Sequence, residues 1–152
     1  MLIDDSGAPR LITVSAGMRF VQVVHETSRG ERNGDEQVLA SDVELADTVL
    51  KQTKGLMFRE SLPEDYAMLF EFDEPPRWTP EILANLRSIH MLFVKIPLDV
   101  LWVLDGEVRQ ASTLSPWTGL GLARADTVIE LPAGVADGVE VGDTVRIDDE
   151  GS

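Results

Sequence analysis

The dipeptide Asp105-Gly106 falls between two runs of strand length, Leu98–Leu104 and Glu107–Leu114. An Asp-Gly pair supplies both positive-φ positions of a two-residue hairpin turn, so the runs on either side read as antiparallel neighbours. The same pattern recurs along the chain. Phe20–His25 reads as a short strand, and the polar stretch Thr27–Gln37 contains the turn signal Asn33-Gly34. Val38–Ala46 alternates, with Leu39, Ser41, Val43 and Leu45 on one face and Ala40, Asp42 and Glu44 on the other. That is the mark of a half-buried strand. Ala67–Phe72 puts Met68, Phe70 and Phe72 on one face, and Thr127–Leu131 and Thr144–Ile147 close the series, the last after a Gly142-Asp143 turn. Ile89–Lys95 and Leu98–Leu104 are apolar on both faces, which predicts the centre of a sheet.

Two short helices are predicted among these strands. Asp47 is placed to cap a helix over Thr48–Lys54, with Val49, Leu50 and Thr53 inward, cations in the last turn and Gly55 at the stop. Thr79-Pro80 reads as a cap followed by proline at the first helical position, opening a two-turn helix over Pro80–Arg87. Ser115–Asp126 and Pro132–Glu140 read as loops. The expected fold is mainly β, with about seven to eight short strands in a sandwich or distorted barrel and one or two short helices as an α+β minority. The expected organisation is a single β-rich domain over 18–148, after an irregular extension at 1–17 and before a polar tail at 149–152. Its 152 residues, 43% hydrophobic, are enough for one buried core without a staple.

Charge narrows the function classes. There are 27 acidic residues against 13 basic ones, a formal net charge of −14, and only Lys51, Lys54 and Lys95 are lysines. Such an excess suits a halophilic cytosol, where the Debye length falls to ~3 Å and self-repulsion is screened. It disfavours nucleic acid, whose phosphate backbone calls for clustered Lys and Arg. Zero cysteines remove thiol catalysis, thiolate zinc sites and redox switching. His25-Glu26 could supply metal ligands, but two histidines far apart in sequence make a weak case, and no metal or other cofactor is expected. No apolar run approaches the ~20 residues that span a bilayer, and no basic residue precedes an apolar region at the start. The expectation is therefore a cytoplasmic protein without membrane insertion.

Glu44-Leu45-Ala46-Asp47-Thr48, Gly55-Leu56-Met57-Phe58-Arg59, Met68-Leu69-Phe70-Glu71-Phe72 and Ile96-Pro97-Leu98-Asp99 follow one another in order. With the ending Val128-Ile129-Glu130-Leu131-Pro132-Ala133-Gly134 and Gly142-Asp143, they resemble domain of unknown function family 192, also called uncharacterised protein family 0127, over about 38–147. The resemblance implies a compact β-rich domain and brings no activity, cofactor or catalytic residue with it. The commoner bacterial pattern has Trp-Met-Lys-Asn-Thr before Ile-Pro-Leu-Asp. This chain has His90-Met91-Leu92-Phe93-Val94-Lys95 instead, which resembles an archaeal branch.

Four residues are candidates for a ligand-binding site: Arg59, His90, Asp99 and Trp117. Asp99 shares a strand face with Leu101 and Val103, so its carboxylate needs a partner or a raised pKa. Arg59 is the expected partner, in an ion pair that is structural or orients the guanidinium toward a small anion. His90, on a strand expected to be central, reads first as a satisfied core or rim residue, and beside Asp99 it makes a proton-transfer site conceivable. Trp117 reads as a plug of the barrel end, or else as a stacking surface for a sugar or other ring, and Trp78 has the same two readings. Trp102 reads as core, and His25 as an exposed strand end. The run Gly119-Leu120-Gly121-Leu122-Ala123-Arg124 lacks the strand–helix context of a dinucleotide loop. The best-supported reading is a non-enzymatic module binding a small ligand or a protein partner. The alternatives are an acid–base hydrolase using His90 and Asp99, and a purely structural or interaction domain.

Overall fold

The structure is a computed structural model that describes residues 21–28, 35–46 and 56–149. Among these there are ten strands and no α-helix. They are β1 (Val21–Glu26), β2 (Glu36–Ala40), β3 (Asp42–Leu45), β4 (Tyr66–Glu71), β5 (Leu86–His90), β6 (Leu98–Leu104), β7 (Glu107–Leu114), β8 (Leu120–Arg124), β9 (Thr127–Pro132) and β10 (Thr144–Asp149). Eight of them form one sheet in the order β2-β1-β10-β7-β6-β9-β4-β3, and β5 pairs with β8 in a separate ribbon.

The eight-stranded sheet curls on itself. β2 and β3 are two parts of one extended segment turned at Ser41, where the Ser41 and Asp42 N–H groups both donate to the Asp65 carbonyl at 2.9 Å. The first part runs antiparallel to β1 and the second parallel to β4, so the two ends of the strand order meet at this turn. The predicted single strand Val38–Ala46 is thus divided. Val23 faces Ala40 and Val24 faces Val38, leaving Leu39 as a bulge residue. The bulge turns Leu39 and Ala40 inward together, which strict alternation forbids.

Each strand of the curled sheet contributes to an inner core, including Val23, Leu39, Val43, Leu69, Leu101, Val108, Ile129 and Val145. A second core lies on the outer side of β4, β6 and β9. Met68, Phe70, Val100, Trp102 and Val128 meet Leu56, Met91 and Val94 there, and the β5–β8 ribbon adds Ile89 and Ala123. The ribbon presses so close that a Cβ on Gly121 would lie 2.2 Å from the Trp102 ring, so only glycine fits at that position. Trp102 is core, as expected, and its indole N–H donates to the Arg87 carbonyl at 3.1 Å.

The predicted hairpin is present. Asp105 and Gly106 have φ of 52° and 78° and join β6 to β7. Several expectations fail nearby. Pro80–Arg87 is not a helix. Bonds from Leu83 and Ala84 to the Pro80 carbonyl make a turn, Asn85 at φ 60° ends it, and Leu86 starts β5. Ile89–Lys95 is not a central strand, because β5 stops at His90 in the outer ribbon and turns follow. Ser115–Asp126 is not all loop, since β8 forms within it. β10 includes Asp149, and the rest of the expected polar tail lies outside the described residues. The predicted helix over Thr48–Lys54, the Asn33-Gly34 turn and the extension at 1–17 lie outside the described residues.

Candidate functional site

Asp99 is 3% exposed, on the face of β6 that turns to the inner core. The Thr113 hydroxyl donates to Oδ1 at 2.6 Å, and the Gly134 and Ala136 N–H groups donate to Oδ2 at 2.9 Å. The carboxylate therefore closes the turn after β9. The expected ion pair with Arg59 is not formed. Arg59 reaches Glu44 instead, with Nη2 3.1 Å from Oε2, and lies over the Tyr66 ring at 5.2 Å. The Tyr66 hydroxyl donates to the same Glu44 oxygen at 2.6 Å, and burial, then this bond, push its pKa above the usual range. The reason is topological: Asp99 points into the barrel, whereas Arg59 follows Leu56, which packs on the outer side.

His90 also lies outside, exposed at the end of β5 and paired in register with Leu120. It does not share a face with Asp99. Trp117 is 49% exposed rather than a sealed plug, and it is not alone. Its ring meets Phe93 edge-on at 5.8 Å, and Phe93 stacks on Phe58 at 5.6 Å with 30° between the planes. Phe58 is 56% exposed and Phe93 is 42% exposed. Trp78, given the same two readings, is exposed without an aromatic contact of this kind among the described residues.

The backbone under these rings is unusual. Phe58, Phe93 and Trp117 have φ of 65°, 63° and 65°. Among the described residues, the other non-glycine residues with positive φ are Asn85 and Asp105, types that tolerate that region. A bulky aromatic residue there costs roughly 1–3 kcal/mol unless the surroundings hold it. Here main-chain bonds do so. Phe58 N–H donates to the Phe93 carbonyl at 2.9 Å, and Trp117 N–H donates to the Val94 carbonyl at 3.1 Å. Three loop segments are thus tied together with their rings turned outward, and Arg59 adjoins the first. Residue patterns missed Phe58 and Phe93 because each sits in a motif that reads as core.

Two further buried acids, Asp143 just before β10 and Glu130 on β9, were also missed. His25 is buried, not an exposed strand end, and its Nε2 donates to Asp143 Oδ2 at 2.8 Å. The Glu140 N–H donates to the same oxygen, and the Ser28 N–H and hydroxyl donate to Oδ1, all at 2.9 Å. Burial alone raises a carboxyl, but these four donors outweigh it and hold Asp143 well below the usual range. Glu130 on β9 is the opposite case. Burial pushes its pKa up to about 7, and no opposing donor or charge offsets it. The argument that singled out Asp99, an acid inside an apolar run, applies equally to Val128-Ile129-Glu130-Leu131. Among the described residues no group of His, Asp or Glu side chains is arranged to hold a metal ion. No helix among them is long and apolar enough to cross a membrane.

The family model of DUF192, described as uncharacterized ACR, matches residues 30–147. The chain belongs to this family. No curated protein matches it. Two solved structures are similar to this DUF192 chain. A protein of unknown function from Novosphingobium aromaticivorans DSM 12444 is 27% identical with a TM-score of 0.66, over 93% of this chain and 94% of that one. A "putative transcription regulator" from Sinorhizobium meliloti 1021 is 24% identical with a TM-score of 0.63, over 84% of this chain and 94% of the other.

Proposed function

We propose that this DUF192 domain is a non-enzymatic binding module whose small ligand carries a flat ring and stacks on Phe58, Phe93 and Trp117. The observation that carries the reading is the strained, outward presentation of three aromatic rings in contact with one another. A chain under selection for stability alone would place glycine or asparagine at such φ values and turn large rings inward. Aromatic faces offer a ring ligand apolar area together with offset or edge-on quadrupole contacts. Arg59 beside Phe58 and His90 beyond Met91 supply polar groups at the margin. Asp99 supports the loop frame instead of touching the ligand.

An acid–base enzyme built on His90 and Asp99 has less support, because the two residues occupy opposite sides of the β6 wall. A nucleic-acid role, suggested by the name of the Sinorhizobium protein, sits poorly with a net charge of −14. The same acidity supports work in molar salt, and the run Leu92-Phe93-Val94 supports an archaeal branch of the family.

A thermal-shift screen in high salt tests the reading with monosaccharides, nucleosides and aromatic acids. At a hundredfold excess over Kd a true ligand stabilises by about 2.7 kcal/mol, roughly 5–10 °C in a chain of this length. The shift is expected to vanish in Trp117→Ala. A panel without any hit, or a hit that survives this substitution, sinks the proposal.

A further inference from the structure

The β5–β8 ribbon turns its larger side chains outward. In β8 the small residues Gly121 and Ala123 face the second core, and Leu120 and Leu122 face away from it. A slip of one residue would bury the leucines. Gly121 forbids it, because any larger residue in its place meets the Trp102 ring. Leu86 of β5 stands outward beside them, diagonal to Leu122, which faces Ser88. The other outward residues of the ribbon are Ser88, His90 and Arg124, so this face holds no acid in a chain with 27 of them.

The apolar surface continues past the start of β5. The Leu86 N–H donates to the Leu83 carbonyl at 3.3 Å, and Arg124 Nη2 donates to the Glu81 carbonyl at 3.1 Å, which ties the turn over 80–84 to the ribbon. That turn exposes Ile82 and Leu83, and Trp78 stands just before it. Leu120, Ile82 and Trp78 are 70%, 74% and 82% exposed. With Leu83, Leu86 and Leu122 they leave on the order of 700 Å² of mostly apolar surface in water, more than a monomer ordinarily shows in one patch and close to the ~800 Å² that each partner of a standard interface buries.

We propose that this face is the interface of a homodimer, two copies of the chain packed ribbon to ribbon about a twofold axis. A twofold contact has to be complementary to itself. An apolar face meets that condition and an acidic one does not, so a chain of net charge −14 can meet its own copy most readily here. The rim is self-complementary as well. Arg124 and Glu81 lie side by side, both exposed, and among the described residues neither side chain has an ion pair. Each copy thus offers one free charge of each sign. Rim charges orient such a contact, and the apolar side chains supply its affinity. A strongly basic partner would be drawn to the acidic surfaces instead of this one, and an anionic lipid surface repels the whole chain.

Sedimentation equilibrium of the whole chain reads the association. A dimer is expected, and its Kd should rise about tenfold or more when KCl falls from about 2 M to about 0.1 M, because salt screens the repulsion between two bodies of charge −14. Leu120→Glu and Leu122→Glu put acids on the acid-free face and should each weaken association about a hundredfold or more. Both positions are exposed in the single chain, so the fold tolerates them, as circular dichroism will show. In the wild type alone, dilution from dimer to monomer should move the methyl signals of Leu86, Leu120 and Leu122 and leave those of Val108 and Val145 in the inner core in place. That measurement stands even if neither variant folds. A chain that stays monomeric in about 2 M KCl, whether or not it binds phosphatidylglycerol vesicles, overturns the proposal. So does a dimer that both glutamates leave intact, or leucine signals unmoved on dissociation. The three exposed rings lie beyond the His90–Leu120 end of the ribbon and are not needed for the contact, so the ring-ligand reading stands or falls separately.

Discussion

Phe93 shows how one residue carries two demands. Its φ of 63° suits glycine or asparagine, yet its ring joins Phe58 to Trp117. In the commoner bacterial pattern of the family, with the methionines aligned, the asparagine of Trp-Met-Lys-Asn-Thr falls on this position. Asparagine enters the left-handed region at little cost. In this chain the strain is retained together with the aromatic surface. Comparing Phe93→Gly with Phe93→Ala isolates the backbone contribution, since both variants lose the ring. Elsewhere alanine is favoured because it restricts the unfolded chain. Here Phe93→Gly is expected to be the more stable of the two by about 1 kcal/mol in urea unfolding. The reverse order means that the residue is unstrained.

At the scale of elements, Asp99 is a joint. It ties β6 to β7 through Thr113 and fixes the turn after β9 through two N–H groups. Asp99→Ala strands those donors in a buried place and is expected to cost about 3–5 kcal/mol. Arg59→Ala removes a half-exposed ion pair and should stay within about 1 kcal/mol. Similar losses for both in denaturant titrations contradict these separate roles. The need of Asp99 for partners was legible in the sequence, but their identity was not, because they come from backbone groups and a threonine brought together by the sheet. The hairpin at Asp105-Gly106 was legible because its signal is local. The run Ile89–Lys95 misled because apolar residues on both faces suit a loop sealing a second core as well as a central strand. Barrel closure depends on the bulge at Leu39, which side-chain alternation hides. Phe58 and Trp117 are brought to Phe93 by main-chain bonds among three loops, and no spacing encodes those contacts.

For the whole molecule, Asp143 and Glu130 bend stability against pH in opposite senses. The folded-state pKa of Asp143 is depressed, so its contribution is present above its ordinary value of 3.8 and is lost as pH falls below that. The pKa of Glu130 is raised from 4.5 to about 7, so the folded state holds this proton more tightly than the unfolded one. No cost arises below about 4.5. A penalty grows as pH rises toward 7 and levels off above it, reaching at most about 3 kcal/mol. Stability of the wild type should therefore peak on the acid side of neutrality. Glu130→Gln cannot ionise, so it should match the wild type near pH 5 and exceed it by up to about 3 kcal/mol at pH 8. Urea unfolding of both proteins from pH 4 to 9 at fixed high salt reads the difference directly. The repulsion among the other acidic groups is nearly common to the two proteins and cancels in the comparison. Parallel curves mean that Glu130 is hydrated and already ionised at neutral pH in the folded state. A gain confined to the alkaline limb shows instead that burial against the second core raises the Glu130 pKa, and that the chain folds better without this charge.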